Sequence, residues 1–364
     1  MNLSEEQSKV VHATESQIAV IGPPGTGKTR VLTERIKWLL EQGVPQTDIV
    51  AITFTNFAAN EMRARLPECK DMYIGTMHSY AAQLLIKNGI QVNLPQIIAT
   101  GDFSQLINRA NSVTLEMKPI KFLFVDEVQD LCDFAFTFIN RLRAENLFLG
   151  GDSDQCIYRF KGANPKLFND YCKNEKTKTY ILTHNYRCGQ NIIEWAEYFV
   201  MYMPDRIPVT VTGNLINRGW VHKVDFEETI FNIINSKTYG NWFVLTRTNS
   251  ELDAAARELR SYGIPFTSFK QGDFTNEEIK KFLENDEVKL LTIHSAKGLE
   301  ADNVVVIGAR NWNDEEKCIE YVASTRARKE LYWCPSIGAP KRRANKKKPY
   351  KPTPKAPTPG IVWE

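Results

Sequence analysis

The sequence predicts two tandem α/β domains, each built on a mainly parallel sheet, followed by a basic, proline-rich tail. Short apolar runs alternate with segments of helical spacing along most of the chain, the pattern of strand–helix–strand units. At 364 residues the chain is too long for one ordinary compact core and suits two domains of common size. With 43% apolar and 24% charged residues, each can bury a proper core.

The first domain is expected over residues 1–174. Gln17 to Gly22 is a short apolar run closed by a Gly/Pro-rich turn, and Thr29 to Leu40 follows with helical apolar spacing ended by Gly43. Ile49 to Phe54 precedes a helix from about Ala58 to Leu66, Phe122 to Val125 runs into Asp126, and Leu147 to Gly150 runs into Asp152. A second series, expected over residues 175–335, takes Thr179 to Leu182 as its first strand. It continues through a helix near Ile192 to Met201, a strand at Trp242 to Thr246, a helix near Leu252 to Tyr262, and strands at Val288 to Ile293 and Val304 to Ile307. The boundary falls in the polar stretch Lys173 to Lys178, where a cleft is expected. Residues 336–364 carry six prolines among lysines and read as extended, disordered chain. No internal repeat is evident.

The net charge of +3 is unevenly spread. The tail holds eight Lys/Arg against Glu364, a surplus of seven that leaves residues 1–335 at −4. A mildly acidic body with a basic tail points to an anionic partner, with nucleic acid foremost. Seven cysteines without Cys-x-x-Cys spacing argue against a disulfide framework and for a reducing compartment. The polar N-terminus and the absence of a long apolar run predict a soluble protein with no membrane association, expected in the cytoplasm of a bacterial or phage-infected cell and beside the nucleoid when on DNA. The five histidines lack paired ligand spacing, so no metal is expected on them.

Gly22-Pro-Pro-Gly-Thr-Gly-Lys28-Thr29 fits the phosphate-loop spacing and sits between a predicted strand and a predicted helix, as its mechanism requires. The loop Gly22, Pro23, Pro24, Gly25, Thr26 and Gly27 would bind the phosphates of ATP at a helix N-terminus, its glycines letting backbone N–H groups approach them. Lys28 would reach the terminal phosphates, Thr29 would ligate Mg²⁺, and Arg30 follows in the same contact set. Phe122-Leu-Phe-Val-Asp126-Glu127 ends a buried strand in adjacent acids. One suits the metal and the other an attacking water; the alternative for the pair alone is two solvated acids at a strand end.

Onward from Asp126, Asp-Glu-Val-Gln-Asp130 and Gly151-Asp-Ser-Asp-Gln155-Cys-Ile-Tyr158-Arg-Phe160-Lys-Gly162-Ala resemble motifs II and III of the UvrD/PcrA/Rep helicases of superfamily 1A. Leu3-Ser-Glu-Glu-Gln7 resembles their Q-motif, Ile52 to Met62 motif Ia and Gly75-Thr-Met-His78-Ser motif Ib. Asn185-Tyr186-Arg187 resembles motif IV, Thr292 to Glu300 motif V, and Tyr321-Val-Ala-Ser-Thr-Arg326-Ala motif VI. The ordered series covers residues 3 to 330.

The resemblance implies two RecA-like domains that hydrolyse ATP with Mg²⁺ at the cleft between them and move 3′-to-5′ along single-stranded or tailed duplex DNA. It makes Asp126 the metal residue, Glu127 the base and Gln155 the γ-phosphate sensor. Arg187 and Arg326 become arginine fingers, and an isolated arginine of either kind otherwise reads as surface. Gln7 would read adenine, Tyr186 would stack on it, and Glu300 would contact the sugar or phosphate side. Phe54, Tyr158 and Phe160 fall on positions that face single-stranded bases, though each also reads as an ordinary core aromatic. His78, Arg247 and His294 are candidates for DNA backbone contacts.

Full-size members carry large insertions that are short here. Accessory domain 1B is reduced to about residues 80–120, 2B is essentially missing between Phe269 and Glu287, and the strand-separating hairpin shrinks to a stretch holding Trp312, either a wedge or an exposed loop aromatic. Translocation is therefore a firmer expectation than unaided unwinding. A DNA-stimulated ATPase switch or recruitment module is the alternative, and a P-loop metabolic kinase fits poorly because it predicts neither the second arginines nor the paired aromatics. A monomer is expected, with the tail adding phosphate contacts and Gly360 to Glu364 docking on a replication or repair protein.

Overall fold

The computed structural model describes residues 3–224, 231, 233–234, 241–269, 276–308, 313–334 and 361–363. The chain divides into two compact units, Met1–Thr183 with Pro204–Thr210, and His184–Met203 with Val211–Glu364.

In the first unit, helix α1 (Glu5–Val11) starts on a capping box in which Ser4 and Gln7 satisfy each other's backbone N–H groups. Strand β1 (Gln17–Ile21) leads to α2 (Lys28–Glu41), β2 (Ile49–Thr53) to α3 (Asn56–Arg65), and β3 (Tyr73–Thr76) to α4 (Met77–Lys87), α5 (Leu94–Thr100) and α6 (Ser104–Ser112). Then β4 (Phe122–Val125) leads to α7 (Asp133–Arg141), β5 (Asn146–Gly151) to α8 (Pro165–Cys172), and β6 (Lys178–Ile181) closes the sheet. The strand order is β3-β2-β4-β5-β1-β6 and every pair is parallel. All five residues of β2 are buried, as in strands covered on both faces. Val31, Leu32, Ile36 and Leu39 of α2 pack with Ile18, Val20, Phe124 and Phe148 of the sheet. Parallel strands bring the turns after β1, β4 and β5 to one edge, where open α/β sheets bind their ligands.

The second unit opens with β7 (His184–Gly189), α9 (Gln190–Val200), β8 (Thr212–Asn214) and β9 (Trp220–Lys223). It continues with β10 (Trp242–Thr246), α10 (Asn249–Ser261), β11 (Phe266–Phe269), α11 (Asn276–Glu284), β12 (Val288–Thr292), β13 (Ala301–Ile307), α12 (Asp314–Ser324), β14 (Ala327–Cys334) and β15 (Ile361–Trp363). Its main sheet, β11-β12-β10-β13-β14-β9-β15, is parallel throughout, and β7 pairs with β8 apart from it. Two parallel α/β units match the predicted fold class.

The bounds of the two units differ from expectation in two places. The first unit does not end at residue 174, because β6, expected to begin the second series, pairs with β1 through Ile18–Lys178 to Ile21–Ile181. Its apolar run looked the same whichever sheet received it. The chain also returns to the first unit at Pro204–Thr210 before the second resumes. Within the tail expected to be disordered, Ile361–Trp363 forms a strand that pairs with Val221–Lys223, satisfying backbone groups at the β9 edge. The rest of the tail, residues 336–360 and 364, lies outside the described residues, and so does Trp312. The stretch of about residues 80–120 holds the greater part of α4, with α5 and α6, and α11 is the helix described between Phe269 and Glu287.

Candidate active site

The phosphate loop leaves β1 held by its neighbour, with Gly22 N–H donating to the Gly151 carbonyl at 3.0 Å. Inside the loop, Thr26 Oγ1 donates to the Pro23 carbonyl at 2.8 Å and closes the turn. Gly27 takes φ +87°, and a Cβ there would stand 2.8 Å from Gln7 Nε2, so both conformation and space require glycine. Helix α2 starts immediately afterwards at Lys28.

Lys28 is buried, and its Nζ lies 3.0 Å from Asp126 Oδ1 and 2.6 Å from Glu127 Oε1. Burial opposes its charge, but the two carboxylates outweigh that and hold its pKa above the ordinary lysine value. Thr29 Oγ1 donates to Asp126 Oδ2 at 2.8 Å. Asp126 is itself fixed by its N–H on the Ile52 carbonyl at 2.9 Å. Glu127 has φ +57°, ψ +42°, the left-handed region that non-glycine side chains avoid. Such strain costs on the order of 1–3 kcal/mol and collects at functional sites. The turn it makes leaves Asp126 2% exposed and the Glu127 side chain 24% exposed, so Glu127 is the acid a solvent molecule reaches.

The turn after β5 adds Asp152, Asp154 and Gln155, all buried. Gln155 Nε2 donates to Asp152 Oδ2 at 2.9 Å and Asp154 N–H to Asp152 Oδ1 at 3.1 Å. Burial pushes the Asp152 carboxyl up, opposed by Gln155, the Asp154 N–H, Lys28 and Arg206. Gln7 uses its amide on the protein: Oε1 accepts Ser4 N–H at 3.1 Å and Nε2 donates to the Thr26 carbonyl at 3.0 Å. The buried Arg35 of α2 donates to the carbonyls of Val10 and Val11 at 3.1 and 2.9 Å, fastening the end of α1 to the phosphate-loop helix.

Residues 3–117 and 99–176 match the UvrD/REP helicase N-terminal domain, and residues 274–335 match the UvrD-like helicase C-terminal domain. The chain belongs to the UvrD-like helicase family. It is 26% identical to the ATP-dependent DNA helicase PcrA of Staphylococcus epidermidis over 403 residues, 80% of this chain and 55% of that protein. It is 24% identical to the ATP-dependent DNA helicase PcrA of Leuconostoc citreum over 370 residues, 73% of this chain and 49% of that one. A Mycoplasma pneumoniae protein named "Probable DNA helicase" is 26% identical over 459 residues, 91% of this chain and 83% of that protein. The chain thus spans about half the length of the two PcrA relatives.

The family's second-unit positions are placed less openly. Arg187 and Glu300 form an ion pair, and Arg328 lies 3.5 Å from the other Glu300 oxygen. Tyr186 is 50% exposed, edge-on to His184 with ring centres 4.5 Å apart. Arg326 is 2% exposed and spends its guanidinium on the Val322 and Leu299 carbonyls at 2.9 and 3.1 Å and on Thr325 Oγ1 at 3.2 Å. Arg247 is engaged by Glu316, with Nε 3.0 Å from both carboxylate oxygens and Nη2 2.8 Å from Oε1.

The three candidate stacking aromatics form one group. Phe54 and Tyr158 have ring centres 5.2 Å apart, Tyr158 and Phe160 6.2 Å. Lys161, which the sequence did not single out, has its Nζ 5.3 and 5.7 Å from the centres of Tyr158 and Phe160. Tyr158 is buried, Phe54 half-buried and Phe160 61% exposed. His78 lies beside Phe103, ring centres 6.0 Å apart.

His78 and His294 also belong to a short repeated turn. Thr76-Met-His78-Ser79 starts on the last residue of β3, and Thr292-Ile-His294-Ser295 on the last residue of β12. In each, the threonine hydroxyl lies 2.9 Å from the serine hydroxyl and accepts the serine N–H at 3.3 and 3.2 Å respectively. Four residues are too few to stand out until the strands that carry them are aligned.

Proposed function

We propose that this chain is an ATP-dependent DNA translocase or helicase that hydrolyses ATP with Mg²⁺ and moves 3′-to-5′ on single-stranded DNA. The observation that carries the reading is the convergence of Lys28 and Thr29, at the start of α2, with Asp126 and Glu127, just past the end of β4, in a chain of this family. Thr29 Oγ1 and Asp126 Oδ2 are a pair of hard oxygen donors of the kind Mg²⁺ takes, and they would hold it. When bound, the ion neutralises phosphate charge. Lys28 would exchange the two carboxylates for phosphate oxygens, which frees Glu127 to accept the proton of an attacking water. Gln155 would read the terminal phosphate, and Arg187 and Arg326 would stabilise its spreading charge once released from Glu300 and from the backbone carbonyls. Gln7, with Tyr186 as a stacking partner, would contact adenine through the second donor and lone pair of its amide.

Phe54, Tyr158 and Phe160 would stack on bases without reading sequence, and His78 and His294 would touch the DNA backbone. Arg247 would join only by leaving Glu316. The tail's lysines would add phosphate contacts. A second reading, a DNA-stimulated ATPase switch, is favoured by the short stretches where full-size family members carry insertions: the match to the Staphylococcus protein runs over 403 residues yet engages 80% of a 364-residue chain.

ATPase measured with and without single-stranded DNA tests the first step. DNA stimulation that is lost in Lys28→Ala and Glu127→Gln supports the reading, and its absence sinks it. Strand displacement on 3′-tailed, 5′-tailed and blunt duplexes then separates motor from switch: unwinding or block displacement from the 3′ tail alone supports the motor, and none from any substrate leaves the switch.

A further inference from the structure

We propose that Gln129 is a positioning residue that holds the Glu127 carboxylate and ties it to the turn carrying Asp152 and Gln155. The inference rests on the reading of this site as an ATP hydrolase.

Gln129 is fully buried, with 0% exposure. A buried amide is costly unless both its ends are bonded, and here both are. Its Nε2 donates to Glu127 Oε2 at 2.5 Å, and its Oε1 accepts the Asp152 N–H at 3.0 Å. The same carboxylate takes Lys28 on its other oxygen at 2.6 Å. Glu127 is thus held from two sides. Once Lys28 turns to a phosphate, Gln129 is the one of these two holders that remains.

The far end of the amide lands on the residue whose carboxylate fixes Gln155 Nε2 at 2.9 Å. One side chain therefore spans from the acid that would take water's proton to the turn that would sense the terminal phosphate. The amide meets both demands, whereas a carboxylate has no donor for Glu127 and an aliphatic chain has neither donor nor acceptor. The neighbouring strand leaves room for it. A Cβ on Gly151 would stand 2.9 Å from Gln129 Oε1 and 3.1 Å from Phe168 Cε1, so glycine at 151 is what admits the amide. The strained turn at Glu127 adds a reason for a holder, since a side chain carried on left-handed backbone gains no support from a regular element.

The test separates positioning from simple backbone satisfaction. Gln129→Glu keeps an acceptor for the Asp152 N–H and loses the donor to Glu127, whereas Gln129→Met loses both. Steady-state ATPase with saturating single-stranded DNA is measured beside the binding of a fluorescent ATP analogue and the melting temperature. Misplacing a reacting group by about 1 Å costs roughly 100-fold. Both variants are expected to lose about 10- to 100-fold in kcat while analogue affinity stays within about threefold. Gly151→Ala, which presses on Gln129 Oε1 from the opposite side, is expected to move kcat in the same direction and serves if Gln129→Met does not fold. If Gln129→Glu hydrolyses ATP at the wild-type rate while Glu127→Gln does not, the positioning role is overturned and the functional reading stands. If the wild-type chain shows no ATPase with or without DNA, both fall together.

Discussion

Glu127 occupies a backbone conformation that nearly every glutamate avoids, and the bonds of its carboxylate to Lys28 and Gln129 show what that conformation is for. The turn separates two adjacent carboxylates by environment, one sunk at 2% exposure beside Thr29 and the other open enough to meet water. Removing the charge from the open one should leave nucleotide binding intact and remove proton transfer. Glu127→Gln is expected to lower DNA-stimulated kcat by about 10²- to 10⁴-fold with analogue affinity within about threefold of wild type. Equal losses in both quantities would assign Glu127 to binding. Lys28 behaves differently, because it neutralises both acids in a buried site. Lys28→Ala takes away that neutralisation together with the phosphate contact, so the variant should melt at lower temperature and bind the analogue weakly.

At the scale of elements, the residues proposed for DNA lie past strand ends within each unit: Phe54 after β2, His78 after β3, Tyr158 and Phe160 after β5, and in the second unit His294 after β12. Phe160 is 61% exposed and Tyr158 is buried, so their removal should read out differently. Phe160→Ala is expected to weaken single-stranded DNA binding by about 1–3 kcal/mol in an anisotropy titration with little change in melting temperature. Tyr158→Ala should lose both, since it also opens a gap beside Phe54. Equal melting losses for the two would mean that Phe160 is a packing residue. Burial holds the His78 pKa below the ordinary 6.5, so the folded protein keeps this imidazole neutral where the unfolded chain would charge it. Stability from His78 is therefore present above pH 6.5 and declines as pH falls toward its lowered pKa. Melting curves between pH 7.5 and roughly pH 5.5 should show a smaller acid decline in His78→Asn than in wild type. These elements also show how far the sequence carried. The phosphate loop and the strand before Asp126 were legible because glycine spacing and an apolar run are local signals. The ion pairs that occupy Arg187 and Arg247, and the Leu299 carbonyl that Arg326 reaches, were not, because these partners lie tens of residues away and carry no local pattern. Gln129 was visible as a letter in a motif, but its role depends on Gly151 and Asp152 in another strand's turn.

At the scale of the whole molecule, the chain passes between its two units at residues 183/184, 203/204 and 210/211, and the middle visit is what no hydrophobic period could foretell. Pro204–Thr210 forms no helix or strand of its own. It is fastened instead by contacts: Arg206 Nε lies 2.6 Å from Asp154 Oδ2, both side chains nearly fully buried, and Asn169 Nδ2 donates to the Asp205 carbonyl at 2.9 Å. Asp205 takes φ +60° to present that carbonyl. Asp154 stands beside Gln155 in the turn proposed to sense phosphate, so the returning segment is pinned to that turn before it leads on into the second unit. Arg206→Ala removes the ionic partner of a buried carboxylate and is expected to cost about 3–5 kcal/mol in denaturant unfolding of the first unit. Arg206→Lys keeps the charge but replaces the planar guanidinium with a compact ammonium, and should recover only part of that loss. If the segment also transmits the state of the turn, Arg206→Lys will lower the ratio of DNA-stimulated to basal ATPase while leaving the basal rate in place. A ratio equal to wild type, in a variant that is measurably less stable, would make the pair an anchor alone.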